Sequence, residues 1–281
     1  MMREKNGLMK LVRLCALICC SSFLFGAATS FTDEPDYTEF CERASENMDL
    51  FANFKKHPMY TTVVEHVTFT QGKEYLSLAL HQTPQFVNLM ESFRKNDRIG
   101  DPQVFSYDNF GFFSPTTLRY IKVASDLQVL FGSLDDKDII EIGGGCGGQC
   151  VILAALFKYK SYTIVDLPGP LALIKKYLEA QGITNVSLIT EEELPRDKTY
   201  DLVISNYAFS ECFRKTQEVY LSQILFQSKL GYLTCNNDPL VKRLFSKQEL
   251  IDALHSHGIY CQESREIPLT GPNNYCLTWA Y

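Results

Sequence analysis

The sequence predicts an α/β protein: a seven-stranded, mostly parallel sheet with one antiparallel strand, preceded by a helical N-terminal segment. Three observations carry this reading. From residue 138 onward, short apolar runs alternate with helix-length runs, the pattern of parallel strands covered by helices on both faces. Five glycines crowd into the six positions 143–148, directly after the apolar run DIIEI, where a first strand turns into its helix. The chain closes on two strand-like runs with no helix between them, which implies a hairpin and hence one antiparallel strand.

The elements follow in order. In residues 1–30, Arg3, Lys5, Lys10 and Arg13 precede the apolar run 14–28, which ends in small residues. That is the layout of a secretory signal peptide or, uncleaved, of a membrane anchor. The 15-residue run is short for a span, which needs about 20 residues. Export or membrane association through 14–28 is the expectation, and a retained apolar helix in a cytoplasmic protein is the alternative. Residues 31–112 read as a helical segment, with helices over 37–54 and 75–93, the second carrying Leu76, Leu78, Leu80, Phe86, Val87 and Leu89. Residues 96–115 have a loop composition rich in Asp, Asn, Gly and aromatic rings. Pro115 opens a helix to 131, with Ser114 as its N-cap.

The domain over 113–281 then carries strands at 138–142, 162–166, 186–190, 200–205 and 231–235. Helices fall between them at 149–159, 171–181, 217–228 and 246–256, and the closing strands lie near 260–266 and 275–279.

Bulk properties narrow the function. The 281 residues are 46% hydrophobic, enough for a substantial core. A net charge of −6, from 27 basic and 33 acidic residues without an internal basic tract, disfavours a nucleic-acid partner. Of ten cysteines, Cys15, Cys19 and Cys20 lie in the leader, and the other seven show no paired spacing, so they read as free thiols. Cys146 and Cys150 have neither a second pair nor a nearby His, which argues against zinc.

The glycines point to a cofactor. A first strand-to-helix turn comes closest to a ligand in such a sheet, and bare backbone permits the approach. Gly143-x-Gly145-x-x-Gly148 fits a dinucleotide fingerprint, and Asp166 could hold a ribose hydroxyl in either case. The same residues also read E-x-G-x-G-x-G, with the acid Glu141 before the first glycine, where dinucleotide enzymes carry a small or apolar residue. The absence of GK[ST] excludes a phosphate-cradling loop of that type.

Residues 138–281 resemble a class I S-adenosylmethionine-dependent methyltransferase, whose first motif is hh-(D/E)-x-G-x-G-x-G and whose second strand ends in an acid. More narrowly, FSPTTLRY (113–120), DIIEIGGGCGGQC (138–150), VDLPGPLAL (165–173) and YDLVISNYAFSEC (200–212) are similar to the sugar O-methyltransferase family. That family usually carries an aromatic where this chain has Cys146.

The resemblance implies a Rossmann-like sheet, S-adenosyl-L-methionine as cofactor and a small, sugar-like acceptor. It implies that Glu141 contacts the methionine amino group, directly or through water. Gly143, Gly145 and Gly147 would line the methionyl and ribose side, and Asp166 would accept both ribose hydroxyls. Thr190 or Glu191 would approach adenine, the alternative being that the acidic run 191–193 is a solvated loop. Asn206 and Tyr207 follow the fourth strand, where donor meets acceptor, with Asn206 on the cofactor side and Tyr207 catalytic.

A hydroxyl acceptor needs a base, for which Glu211 is the first candidate and His255 or His257 the next. Ser205-Asn206 and Asn236-Asn237-Asp238 offer a metal only one carboxylate, so no metal site is expected. SNYAFSE stands where amino-group methyltransferases often carry [DN]PP[FY], which disfavours a planar amine acceptor. A non-catalytic exported binding protein and a NAD-type oxidoreductase are the competing classes.

Overall fold

The computed structural model describes residues 35–236 and 244–280. The leader reading of residues 1–30 therefore lies outside the described residues, as do Asn237 and Asp238.

Seven strands form the main sheet: β3 (Asp138–Ile142), β4 (Ser161–Val165), β5 (Val186–Ile189), β6 (Tyr200–Asn206), β7 (Ser228–Cys235), β8 (Gln262–Arg265) and β9 (Tyr275–Ala280). Their order is β5-β4-β3-β6-β7-β9-β8, a Rossmann-like arrangement. The pairs from β5 through β7 are parallel. Strand β9 runs antiparallel to both β7 and β8, the single reversed strand that the terminal hairpin implies. The order reverses beside β3, which pairs with β4 on one side and β6 on the other, so a crevice opens beyond the carboxyl ends of β3 and β6.

The central strand shows why it is buried on both faces. Ile139 belongs to one hydrophobic cluster and Ile140 and Ile142 to the other, the period-2 alternation of a strand between two helical layers. Four helices connect or cover the sheet: α7 (Gly148–Ala154), α8 (Pro168–Ala180), α10 (Arg214–Gln223) and α11 (Lys247–Ser256). The short turn α9 (Ala208–Glu211) follows β6.

The helix over 115–131 forms as expected, as α6 (Pro115–Phe131). Ser114 caps it by accepting from the Thr116 amide at 3.2 Å, and Gly132 ends it with φ +75°. Other boundaries differ, each for a local reason. The helix expected over 37–54 breaks into α1 (Pro35–Glu46) and α2 (Met48–Asn53), because the Asn47 side chain caps the Leu50 amide at 2.9 Å. The helix expected over 75–93 begins earlier, in a Thr68–Gln71 capping box, as α4 (Phe69–Gln82), with α3 (Pro58–Val63) before it. It stops before Pro84, and α5 (Met90–Phe93) follows a 3₁₀ turn.

The helix after the glycines is shorter than 149–159, because Asp135 takes the Lys158 amide at 2.7 Å and steers the chain into β4. The loop over 96–115 hides a hairpin of β1 (Phe105–Tyr107) and β2 (Gly111–Phe113), turned at Asn109 with φ +64°.

The helical N-terminal segment is part of the wall of the crevice. Helix α1 packs along α8, and α4 packs against α6, within one hydrophobic cluster that runs from Tyr37 to Tyr232. Beneath this junction Lys55, 1% exposed, donates to the Asn96 carbonyl at 2.7 Å and the Tyr177 hydroxyl at 3.1 Å. All seven described cysteines are free thiols, and all but Cys261 are buried.

Candidate active site

The glycine turn begins where β3 ends. Gly143 and Gly145 have φ of +76° and +59°, a region that glycine enters without the steric cost of a Cβ. A Cβ on Gly143 would lie 2.2 Å from the Ala208 Cβ, so the turn and the start of α9 touch directly. On Gly145 the nearest atom would be 3.5 Å away, and the added carbon would border a cleft of about 210 Å³. Gly143, Gly144 and Gly145 line this cleft. Gly147 is not among its lining residues: a Cβ there would meet Leu178 at 2.9 Å, so this glycine seats the turn against α8. Gly148 has a similar packing role against the Tyr120 ring, 2.4 Å from its would-be Cβ.

Two acids flank the turn. Glu141 is 2% exposed and accepts the Tyr162 hydroxyl at 2.7 Å. Burial pushes its carboxyl up to about 8, against the pull of that hydrogen bond. Asp166 lies just past β4. One oxygen accepts the Gly144 amide at 2.8 Å and the other the Leu167 amide at 2.8 Å. These two bonds orient the carboxylate.

The end of β6 supplies the opposite wall. Asn206 lines the cleft, and Tyr207 follows in a left-handed conformation, φ +73°, held by its amide on the Thr234 carbonyl at 2.7 Å. The Tyr207 hydroxyl donates to the buried Glu266 and lies 3.1 Å from Thr270 Oγ1. Burial first, and then neighbouring acids against the pull of Arg119, keeps this phenol well above its ordinary pKa, so it is no proton acceptor near neutrality. Glu211, at the end of α9, is a cleft residue whose Oε1 accepts from Asn236 Nδ2 at 2.7 Å. Burial raises its carboxyl, while the Asn236 bond and the Arg119 charge pull it back.

The other sequence candidates lie elsewhere. His255 and His257 are exposed at the end of α11, with the His257 ring stacked on Phe226 at 3.5 Å, and neither lines the cleft. The histidine that does is His66. Thr190 is engaged by Glu193 in a capping box, and neither it nor Glu191 lines the cleft. Among the described residues no group of three or more His, Cys, Asp or Glu is placed to hold a metal. No described helix is long and apolar enough to cross a membrane.

Sequence reasoning missed the residues that the N-terminal segment and the last loop bring in: Tyr37, His66, Arg119, Tyr120, Thr270 and Asn274 all line the cleft. Only Arg119 left a signal, a cation in the otherwise uncharged helix start PTTLRYI.

No family model matches the chain. A curated relative, the non-reducing polyketide synthase ausA of Aspergillus calidoustus, is 29% identical over an alignment of 126 residues that covers 41% of this chain. The chain spans only 5% of that protein's length. Among solved structures, a candidate sarcosine dimethylglycine methyltransferase from Galdieria sulphuraria matches at 18% identity and TM-score 0.45, over 53% of this chain and 64% of that one. A SAM dependent methyltransferase from Aquifex aeolicus matches at 19% and 0.42, over 57% and 88%. SAM-bound CalS10, an amino pentose methyltransferase from Micromonospora echinaspora, matches at 14% and 0.45, over 57% and 89%.

Proposed function

We propose that the chain is an S-adenosylmethionine-dependent O-methyltransferase acting on a small molecule, a sugar or sugar-containing metabolite. The observation that carries this reading is the charge around the glycine turn. Glu141 lies buried on one side and Asp166, its oxygens on the Gly144 and Leu167 amides, on the other. A dinucleotide would lay a doubly negative diphosphate on this turn, between two acids. A ligand with an ammonium and a sulfonium meets Asp166 as a counter-charge and favours ionisation of Glu141, which burial keeps protonated in the ligand-free protein.

The residues fit that ligand. Asp166 is oriented to take two vicinal hydroxyls, Glu141 to balance an amino group, and Gly145 leaves room for both. The bound cofactor would supply an electrophilic methyl group on sulfur. The chain supplies position and a proton acceptor: Asn206 and Tyr207 form the wall on which an acceptor rests, and Glu211 takes the hydroxyl proton. Burial and the Asn236 bond fix the direction of that carboxylate.

Methyl transfer from labelled S-adenosylmethionine to a panel of neutral sugars, sugar acids and nucleotide sugars tests the reading. The expected product is a methyl ether; a product methylated on nitrogen, or none across the panel, would count against it.

Glu141 gives the reading a pH signature. Its folded pKa, about 8, lies above the usual carboxylate range, so the ligand-free protein loses stability as pH rises from that range toward 8. An ammonium beside it favours the ionised form, so S-adenosylhomocysteine should bind more tightly as pH rises toward 8 and release a proton on binding. Calorimetry in buffers of different ionisation enthalpy reads this directly. Glu141→Gln should abolish the buffer dependence, and a wild type without it would contradict the role.

A further inference from the structure

We propose that the acceptor carries an anionic group, a carboxylate or a phosphate, and that Arg119 receives it; the inference rests on the donor assignment above. Arg119 lies in the second turn of α6 and is 6% exposed, yet its Nε and Nη1 have no hydrogen-bond partner. Among the described residues no carboxylate makes an ion pair with it. A buried cation without a partner is costly, and a packing role would be met better by Leu or Met.

The neighbouring acids are already engaged. Glu65 takes the Ser114 hydroxyl at 2.9 Å, and Glu211 takes Asn236. Glu266 takes the Tyr207 hydroxyl and the Thr270 amide, and Asp126 takes Lys122 and the Tyr232 hydroxyl.

The guanidinium is also held in place. Its carbon lies 5.7 Å from the Tyr120 ring centroid and 5.5 Å from that of Tyr207. Arg119 lines the main cleft and a smaller cavity that continues past Tyr207 toward Tyr75, Thr234 and Glu266. This is the β6–β7 side, across from Asp166, where the acceptor enters if the glycine turn and Asp166 hold the donor. His66 lies on the same wall, where desolvation and the Arg119 charge lower its pKa to about 4, so near neutrality it adds no competing charge. A planar fork of donors suits a carboxylate or phosphate, and it would set such a group beside Glu211, the proposed base.

The test is calorimetry on the full chain saturated with S-adenosylhomocysteine, titrated with D-glucuronate, D-glucose 6-phosphate and D-glucose, in wild type, Arg119→Gln and Arg119→Lys. The expected result is at least one charged sugar bound tenfold or more tighter than glucose. That preference should vanish in Arg119→Gln and be partly kept in Arg119→Lys, with S-adenosylhomocysteine affinity within about threefold of wild type throughout. The glucuronate-bearing and phosphate-bearing arms tell the two anions apart.

Indifference of the wild type to charge overturns the proposal. So does a tenfold loss of S-adenosylhomocysteine affinity in Arg119→Gln, which would assign the guanidinium to the donor's own carboxylate. Failure of the wild type to bind S-adenosylhomocysteine would instead sink the donor assignment, and titrating the same sugars without it still tests Arg119. Arg119→Gln removes an unpartnered buried charge, so its melting temperature should equal or exceed that of the wild type, which guards against misfolding.

Discussion

Glu211→Gln is expected to lower kcat by about 10² to 10⁴-fold and to leave S-adenosylhomocysteine affinity nearly unchanged. Glutamine keeps the shape and can still accept the Asn236 bond, so the substitution removes the proton acceptor without collapsing the wall. The donor-side contacts at Gly144 and Asp166 are untouched. The pH profile gives a second reading of the same residue. The base is active when ionised, and burial raises its pKa, so kcat should rise with pH through a value above the ordinary carboxylate range. That limb should disappear in Glu211→Gln. If kcat survives the substitution, His66 is the next titratable group on the cleft wall, since His255 and His257 are remote from it.

Asp166→Ala should weaken S-adenosylhomocysteine binding by about 1.5 to 3 kcal/mol, or roughly ten- to a hundredfold. Two effects act in the same direction. The ribose hydroxyls lose a charged acceptor, and the Gly144 and Leu167 amides lose the oxygens that orient the turn. Asp166→Asn separates them, because an amide oxygen can still accept one backbone bond but brings no charge. Its affinity should fall between wild type and alanine. Calorimetric titration of both variants, with thermal unfolding as a check on the fold, gives the comparison.

What the sequence made legible was whatever depends on local period or on short-range geometry. DIIEI reads as a strand buried on both faces because its isoleucines leave no polar face, and the glycine cluster reads as a turn because other residues pay a steric cost at positive φ. Asp166 and Glu141 were legible by their place at strand ends. Arg119, His66, Thr270 and Asn274 were not legible as a set, because they converge from α6, the loop before α4 and the loop before β9, and only long-range packing brings them to one cleft.

Short elements failed for a related reason. Strands β1 and β2 have three residues each, too few for alternation to stand out from an aromatic-rich loop. The Gly147 role changed because the motif treats its three glycines alike, whereas the chain turns the third toward Leu178.

The identity of the ligand on the glycine turn decides between the competing readings. Calorimetric titration of the full chain with S-adenosylhomocysteine and, separately, with NAD addresses it most directly. One molecule of S-adenosylhomocysteine is expected to bind per chain, while NAD gives no measurable heat of binding. Saturable NAD binding in the absence of S-adenosylhomocysteine binding would contradict the assignment, since the two acids beside the turn would then be tolerating a diphosphate.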